Sequence, residues 1–239
     1  MKACIVTIGN ELIDGSRLDT NSKWISDKIL KHGIATTKII SIGDDQAEIT
    51  EVVLGAANKY DYIFITGGLG PTHDDITASS FKSAFNLTQE IDEEYLQQLE
   101  SMFSNRGVRM PKINENQAIV LEGCEIIQNP IGTARGIYYK YLKSQYFIMP
   151  GVPKEMYNMM EQNIIPSYLG GEVKQNIKTV RTSGIAESKL AEKVQSMMLK
   201  YHEDVSFSFL PSYKGVDFVL KATDPNLDIT KIADEFYDK

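Results

Sequence analysis

Residues 3–8, ACIVTI, and 61–66, DYIFIT, are runs of nearly continuous apolar residues, each far too short to cross a membrane. A strand with one wet face alternates polar and apolar residues, so unbroken runs of this length predict strands covered on both faces, as in a parallel sheet between helices. The segments between them fit that frame. From Asn21 to Leu30, Trp24, Ile25, Ile29 and Leu30 follow a helical stripe that His32-Gly33 can end. TTKIISIG, 36–43, reads as a second strand, and Ile49, Val52, Val53 and Ala56 share one face of a helix over about 46–58. The order β-α-β-α-β with right-handed crossovers predicts a doubly wound α/β fold whose ligands bind at the carboxyl ends of the strands.

Further along, the pattern predicts helices near 75–85, 90–105 and 113–119, strands near 125–128, 136–141 and 145–149, and a helix over about 153–164. Pro166 followed by Gly170-Gly171 interrupts both periodicities, which places a linker there and divides the chain into domains 1–169 and 170–239. In the second, KTVRTSG, VSFSFL and GVDFVLKAT read as strands, and IAESKLAEKVQSMMLKYH and DITKIADEFYDK as helices, a small α+β unit. Hydrophobic residues at 42% and charged residues at 24% fit a soluble globular protein and argue against disorder. A net charge of −7 without any block of five like charges argues against a nucleic-acid or membrane partner, so an anionic substrate needs a local device or a cation. Cys4 and Cys124, without metal-ligand spacing, fit reduced thiols in a cytoplasmic protein, and the N-terminal apolar run is cut by Gly9, Asn10 and Glu11 before a secretory signal is complete.

Three segments carry chemistry. TGGLGPTHDDIT, 66–77, leaves a buried strand and enters a helix; the amides around Gly67, Gly68 and Gly70 suit phosphate oxygens, and Asp74 and Asp75 suit a hydrated divalent cation bridging protein and diphosphate. A purely structural reading makes the glycines a tight turn and Thr72-x-x-Asp75 a capping box. His73 reads as a solvated loop residue. The second segment, GNELIDGSRLDTN, holds Glu11, Asp14 and Asp19 before a helix; Asp19 or Thr20 caps that helix, while Glu11 and Asn21 are site candidates because the loop leaves the same sheet edge. Gly43-Asp44-Asp45 is similar, with Asp45 as N-cap and Asp44 toward the cleft. The third combines NPIGTARG, 129–136, with MPGVPKEM, 149–156, in which Pro153 opens a helix; taken alone its prolines and glycines read as a rigid turn, and Asn129, Gly132, Thr133, Pro150, Gly151 and Glu155 are its candidate substrate-binding residues.

These segments resemble, in matching order over residues 1–169, the N-terminal domain of the CinA (competence/damage-inducible protein A) family, whose three-layer α/β/α fold is shared with molybdopterin-binding proteins. Residues 170–239, with RTSGIAES, resemble the family's small KH-like domain, and the third domain with nicotinamide-nucleotide deamidase activity is expected to be absent or supplied by a separate partner. The KH-like part lacks a GxxG loop and a basic face, so no RNA binding is expected. The resemblance implies a metal-dependent pyrophosphatase that hydrolyses ADP-ribose, or related dinucleotides including FAD, with Mg²⁺, Mn²⁺ or Co²⁺ as cofactor and K⁺ as a candidate activator, in a homodimer. Asp74 and Asp75 match the acidic pair, Gly67, Gly68, Gly70 and Thr72 the loop, and Glu11, Asn21 and Asp44 polar positions around the pocket. Arg135 departs from the pattern, since many relatives have Pro in this GTAxG segment. The alternatives are a molybdopterin-binding protein of molybdenum-cofactor assembly and a non-catalytic nucleotide-binding regulatory protein.

Overall fold

The computed structural model describes residues 1–173, 176–224 and 226–237. By its internal contacts the chain divides into two compact units, Met1–Glu172 and Val173–Lys239.

The first unit is built on a six-stranded sheet. β1 (Lys2–Ile8), β2 (Ala35–Ile42) and β3 (Tyr62–Thr66) are joined by α2 (Asn21–Leu30) and α3 (Gln46–Ala56), with a short α1 (Asn10–Ile13) after β1. α4 (Thr77–Phe85), β4 (Gln89–Ile91), α5 (Glu93–Asn105), a 3-10 helix (Lys112–Ala118) and β5 (Ile119–Leu121) follow, then β6 (Glu125–Ile127), β7 (Gly136–Tyr141), β8 (Ser144–Met149) and α6 (Pro153–Met159). The strand order is β2-β1-β3-β8-β7-β6. β2, β1, β3 and β8 run parallel, and β7 turns back antiparallel to both β8 and β6. The α/β class with a mostly parallel sheet is therefore as expected.

Alternation of side chains along each central strand divides the core into two layers. Ala3 and Ile5, Tyr62 and Phe64, and Phe147 and Met149 pack with Ile25 and Ile29 of α2 and Met156 and Met159 of α6. Cys4 and Val6, Ile63 and Ile65, and Tyr146 and Ile148 pack on the other face with Ile49 and Val53 of α3 and Phe81 of α4. Both faces are covered, which is why these strands carry no polar alternation. Burying each large apolar side chain contributes about 1.5–3 kcal/mol.

Three local expectations are corrected. α6 continues as a π-helix over Met160–Leu169 with Pro166 inside it, so Pro166 is not a linker residue; Met160, Ile164 and Leu169 are buried, and the break comes at Gly170 with φ 72. The helices expected near 90–105 and 113–119 are Glu93–Asn105 and a 3-10 helix over Lys112–Ala118, and residues 90, 91 and 119 belong instead to the antiparallel β4–β5 ribbon. Thr72 and Asp75 are not the cap of α4, which starts at Thr77 after Ile76 with no side-chain cap.

In the second unit β9 (Ile177–Thr182), β10 (Val205–Ser212) and β11 (Gly215–Ala222) form an antiparallel sheet in the order β10-β11-β9. α7 (Glu187–Tyr201) and α8 (Ile229–Tyr237) supply Leu190, Val194, Ile232 and Phe236 to a core with Val180, Phe218 and Leu220. The last two residues of the expected final helix, 238–239, lie outside the described residues. No described helix is long and apolar enough to cross a membrane.

Candidate functional site

All three sequence segments emerge at one edge of the sheet. The loops after β1, β2, β3 and β8 leave the carboxyl ends of parallel strands, and because β6 and β7 alternate in direction, the 128–135 loop between them opens at the same edge.

The β3 loop is held tightly from behind. Gly67 has φ +114, and a Cβ there would stand 2.0 Å from the Ile8 carbonyl oxygen, so no other residue fits. Its N–H donates to Met149 O at 3.0 Å, which corrects the expectation that it faces a phosphate. The Thr77 hydroxyl donates to Gly67 O at 2.9 Å and the Thr77 N–H to Gly68 O at 3.1 Å. The amides of Gly68, Leu69 and Gly70 donate to no protein group among the described residues. Asp75 Oδ2 accepts from the Thr72 N–H at 2.8 Å and the Thr72 hydroxyl at 2.5 Å, closing the loop, while a Cβ on Gly70 would meet the same carboxylate. Asp74 is exposed, and its carboxylate accepts no hydrogen bond among the described residues.

Asn10 and Asp44 join the first two loops reciprocally: the Asn10 N–H donates to Asp44 Oδ2 at 2.9 Å and the Asp44 N–H to Asn10 Oδ1 at 3.2 Å. The Asp44 carboxyl is pushed above its ordinary range first by burial, against the Asn10 hydrogen bond, and then by the negative charges of Glu11, Asp74 and Asp75. Four carboxylates therefore share one field, and none of them forms an ion pair among the described residues. Asp45 caps α3 as expected, accepting from the Glu48 N–H at 2.8 Å, and Asp19 accepts from the Ser22 N–H at 2.9 Å at the start of α2.

Asn21 is 8% exposed and fastens β3 to the β8 turn. Its Nδ2 donates to Thr66 Oγ1 at 3.0 Å and to Gly151 O at 2.9 Å, while the Thr66 hydroxyl donates to Pro150 O at 2.9 Å. Both amide protons are committed, which fixes the side-chain orientation and leaves a buried Oδ1 without a partner among the described residues. The third segment is likewise bound to itself. Asn129 Nδ2 donates to Glu155 Oε2 at 2.7 Å and Ala134 O at 2.9 Å, its Oδ1 accepts from Gly132 N–H at 3.1 Å, and Gly132 lacks the Cβ that would collide with Glu155. Thr133 O accepts from the Tyr95 hydroxyl at 2.8 Å.

A cavity of about 440 Å³ opens beside the glycine loop. Gly68, Gly70, Thr72, His73 and Asp75 form one side, and Ile113, Ile119, Leu121 and Ile137 give it an apolar wall. A smaller cavity of about 80 Å³ adjoins Glu11, Arg17, Asn21 and Gly151. A depression of about 880 Å³ near Glu100 and Arg109 touches none of the expected site residues.

The comparisons with known proteins agree with this fold. The family model described as a probable molybdopterin binding domain matches residues 4–169. The chain belongs to this family. Among whole proteins it is similar to a CinA-like protein of Flavobacterium psychrophilum, 34% identical over 234 residues, covering 97% of this chain and 56% of that one. A CinA-like protein of Chloroherpeton thalassium is 36% identical over 222 residues, covering 90% and 53%. The chain thus spans about half the length of the curated relatives it matches. The crystal structure of the protein CinA with unknown function from Thermoplasma acidophilum superposes with a TM-score of 0.64 at 29% identity, covering 71% of this chain and 98% of that one. The resemblance read from the glycine loop and its companion motifs therefore holds.

Sequence reasoning missed the residues that frame this site in the molybdopterin-binding-type domain. Asn10, Thr66 and Thr77 act only through contacts made across the sheet edge, and the cavity wall from Ile113 to Leu121 carries no motif. Arg135, noted only as a departure, is 8% exposed, stacks 3.7 Å over the Tyr95 ring and donates from Nη1 to Asp92 Oδ2 at 2.5 Å. It ties the third loop to the start of α5, where Asp92 also accepts from the Tyr95 N–H.

Proposed function

We propose that this chain hydrolyses the diphosphate bond of an adenine dinucleotide or sugar nucleotide, with ADP-ribose as the leading candidate and FAD as a second. The observation that carries this reading is the set of Gly68–Gly70 amides, uncommitted among the described residues, on the same sheet edge as Asp44, whose carboxyl is pushed up by burial and by the charges of Glu11, Asp74 and Asp75.

The donor set fits a hard divalent cation. One or two of the carboxylates of Asp44, Asp74 and Asp75, the last through the oxygen not used by Thr72, would offer the oxygens that Mg²⁺, Mn²⁺ or Co²⁺ accept, and a cation would relieve the repulsion felt at Asp44. Among the described residues no group of three or more His, Cys, Asp or Glu could enclose a metal, so the remaining ligands would be water and substrate oxygens. Bound there, the cation supplies charge neutralisation and lowers the pKa of a coordinated water. The protein's own part is positional. The amides of Gly68, Leu69 and Gly70 bind phosphate oxygens, and the Thr72–Asp75 lock holds the loop in shape. Water adds to one phosphorus as the bridging P–O bond breaks, so ADP-ribose gives AMP and ribose 5-phosphate.

The test is incubation with ADP-ribose and with FAD in Mg²⁺, Mn²⁺ or Co²⁺, with and without K⁺, followed by chromatography for AMP beside Asp75→Asn. Metal-dependent AMP that the variant loses supports the reading. The family match favours a second reading, a molybdopterin-binding protein whose phosphate sits on the same amides. Binding of molybdopterin without diphosphate cleavage would favour it. A homodimer belongs to the same proposal and is checked by light scattering.

A further inference from the structure

We infer that the cavity of about 440 Å³ beside the glycine loop is a purine subsite, and that Gln89 and Asn116 select adenine over guanine there. The inference rests on the nucleotide reading above and adds which end of the substrate the cavity takes and which residues read it.

Three observations converge. The cavity volume lies in the range that small-molecule sites occupy, about 300–1,000 Å³. Its wall of Ile76, Ile113, Ile119, Leu121 and Ile137 is aliphatic, and Ile76, Ile113 and Ile119 are only half-buried, so a flat apolar ring face would displace water from them. Gly68, Leu69 and Gly70 line the same cavity, so a phosphate on their free amides leads directly into it.

The polar groups at the cavity give it a preference. Gln89 from β4 and Asn116 from the 3-10 helix both line it, and neither side-chain amide makes a hydrogen bond among the described residues. A carboxamide offers one donor and one acceptor, which matches the acceptor N7 and donor N6 of adenine in a bidentate pair. The corresponding edge of guanine, N7 and O6, presents two acceptors and calls for Arg or Lys. No Arg or Lys lines the cavity, and Asp75, its one carboxylate, would oppose a second acceptor. Gln89 and Asn116 are both exposed, so they can be changed without opening the core.

The test is calorimetric titration of the whole protein with AMP and with GMP, repeated for Gln89→Leu, Asn116→Leu and Gln89→Arg, each checked for an unchanged thermal melt. The native protein is expected to bind AMP at least about tenfold more tightly than GMP. The Leu variants should lose most of that ratio through weaker AMP binding alone, and Gln89→Arg should tighten GMP. Equal affinities for the two nucleotides, a ratio unchanged in both Leu variants, or no binding of either would overturn the inference. Because neither probe contains a diphosphate, adenine selectivity without any turnover of ADP-ribose would leave the subsite standing while hydrolysis fails. Turnover without base selectivity would do the reverse.

Discussion

Asp44 and Arg135 show opposite electrostatic strategies within one sheet edge. At Asp44 the folded-state pKa lies above the unfolded value, so the carboxyl favours the fold only when protonated, and that contribution is lost as pH rises through the folded value. Asp44→Asn keeps an acceptor for the Asn10 N–H and removes the charge. In metal-free buffer at pH 7 it should raise Tm by roughly 2 °C, with the gain vanishing below about pH 4, as scanning calorimetry across pH would show. At Asp92 the sign reverses: the Arg135 hydrogen bond, and then the Tyr95 N–H, hold its carboxyl below the usual range. The stability it contributes is complete above its unfolded value and lost as pH falls through the depressed one. Asp92→Asn keeps the α5 cap but strands a guanidinium whose Nε and Nη2 already have no hydrogen-bond partner among the described residues, and should cost about 2 kcal/mol in urea denaturation. Arg135→Met, which removes the buried charge itself, should stay within about 1 kcal/mol of the native protein. A larger loss in Arg135→Met than in Asp92→Asn would contradict this account.

At the scale of elements, Gly67 is where strand, loop and helix meet. Gly67→Ala must abandon its positive φ and push away the Ile8 carbonyl, and is expected to cost about 3 kcal/mol or more by urea titration. Near-native stability in that variant would mean the β3 loop is less constrained than its contacts imply. The central strands and α2 were legible in the sequence because burial on both faces leaves no polar interruption and because helical spacing survives in Trp24, Ile25 and Ile29. The glycine loop was legible for a related reason, since a strand end, three glycines and two aspartates stand together in the chain. Other features depend on tertiary contacts that local pattern does not carry. Pro166 reads as a breaker, yet the buried Met160, Ile164 and Leu169 hold a π-helix through it. The β4–β5 ribbon pairs residues far apart in the chain, Gln89 with Leu121, Glu90 with Val120 and Ile91 with Ile119, and neither partner has strand length alone. Asn10 gives no sign in the sequence of its bond to Asp44, and Asn21, though a site candidate, gives none of its bonds to Thr66 at the end of β3 and to Gly151, because these partners lie in distant segments.

For the whole molecule, the two units have separate cores: the buried clusters around the six-stranded sheet draw only on residues before 170, and the cluster around β9–β11 only on residues after 179. A fragment of residues 1–172 should therefore unfold cooperatively by itself and bind AMP as the full chain does, which a thermal melt and a titration would establish. Failure of the fragment to fold would show that the second unit supplies part of the first unit's stability. The central claim is that a diphosphate is cleaved at the sheet edge that carries the Gly68–Gly70 amides and the Asp74 and Asp44 carboxylates. Its most direct test is a phosphorus NMR time course of ADP-ribose with Mg²⁺ and the full chain, run beside Asp74→Asn, a change at an exposed carboxylate that holds no hydrogen bond among the described residues. We expect the diphosphate resonances to give way to two monophosphate signals with the native protein, and at least about a hundredfold more slowly with the variant. An unchanged diphosphate signal with folded, AMP-binding native protein, or equal rates in both proteins, would contradict the claim.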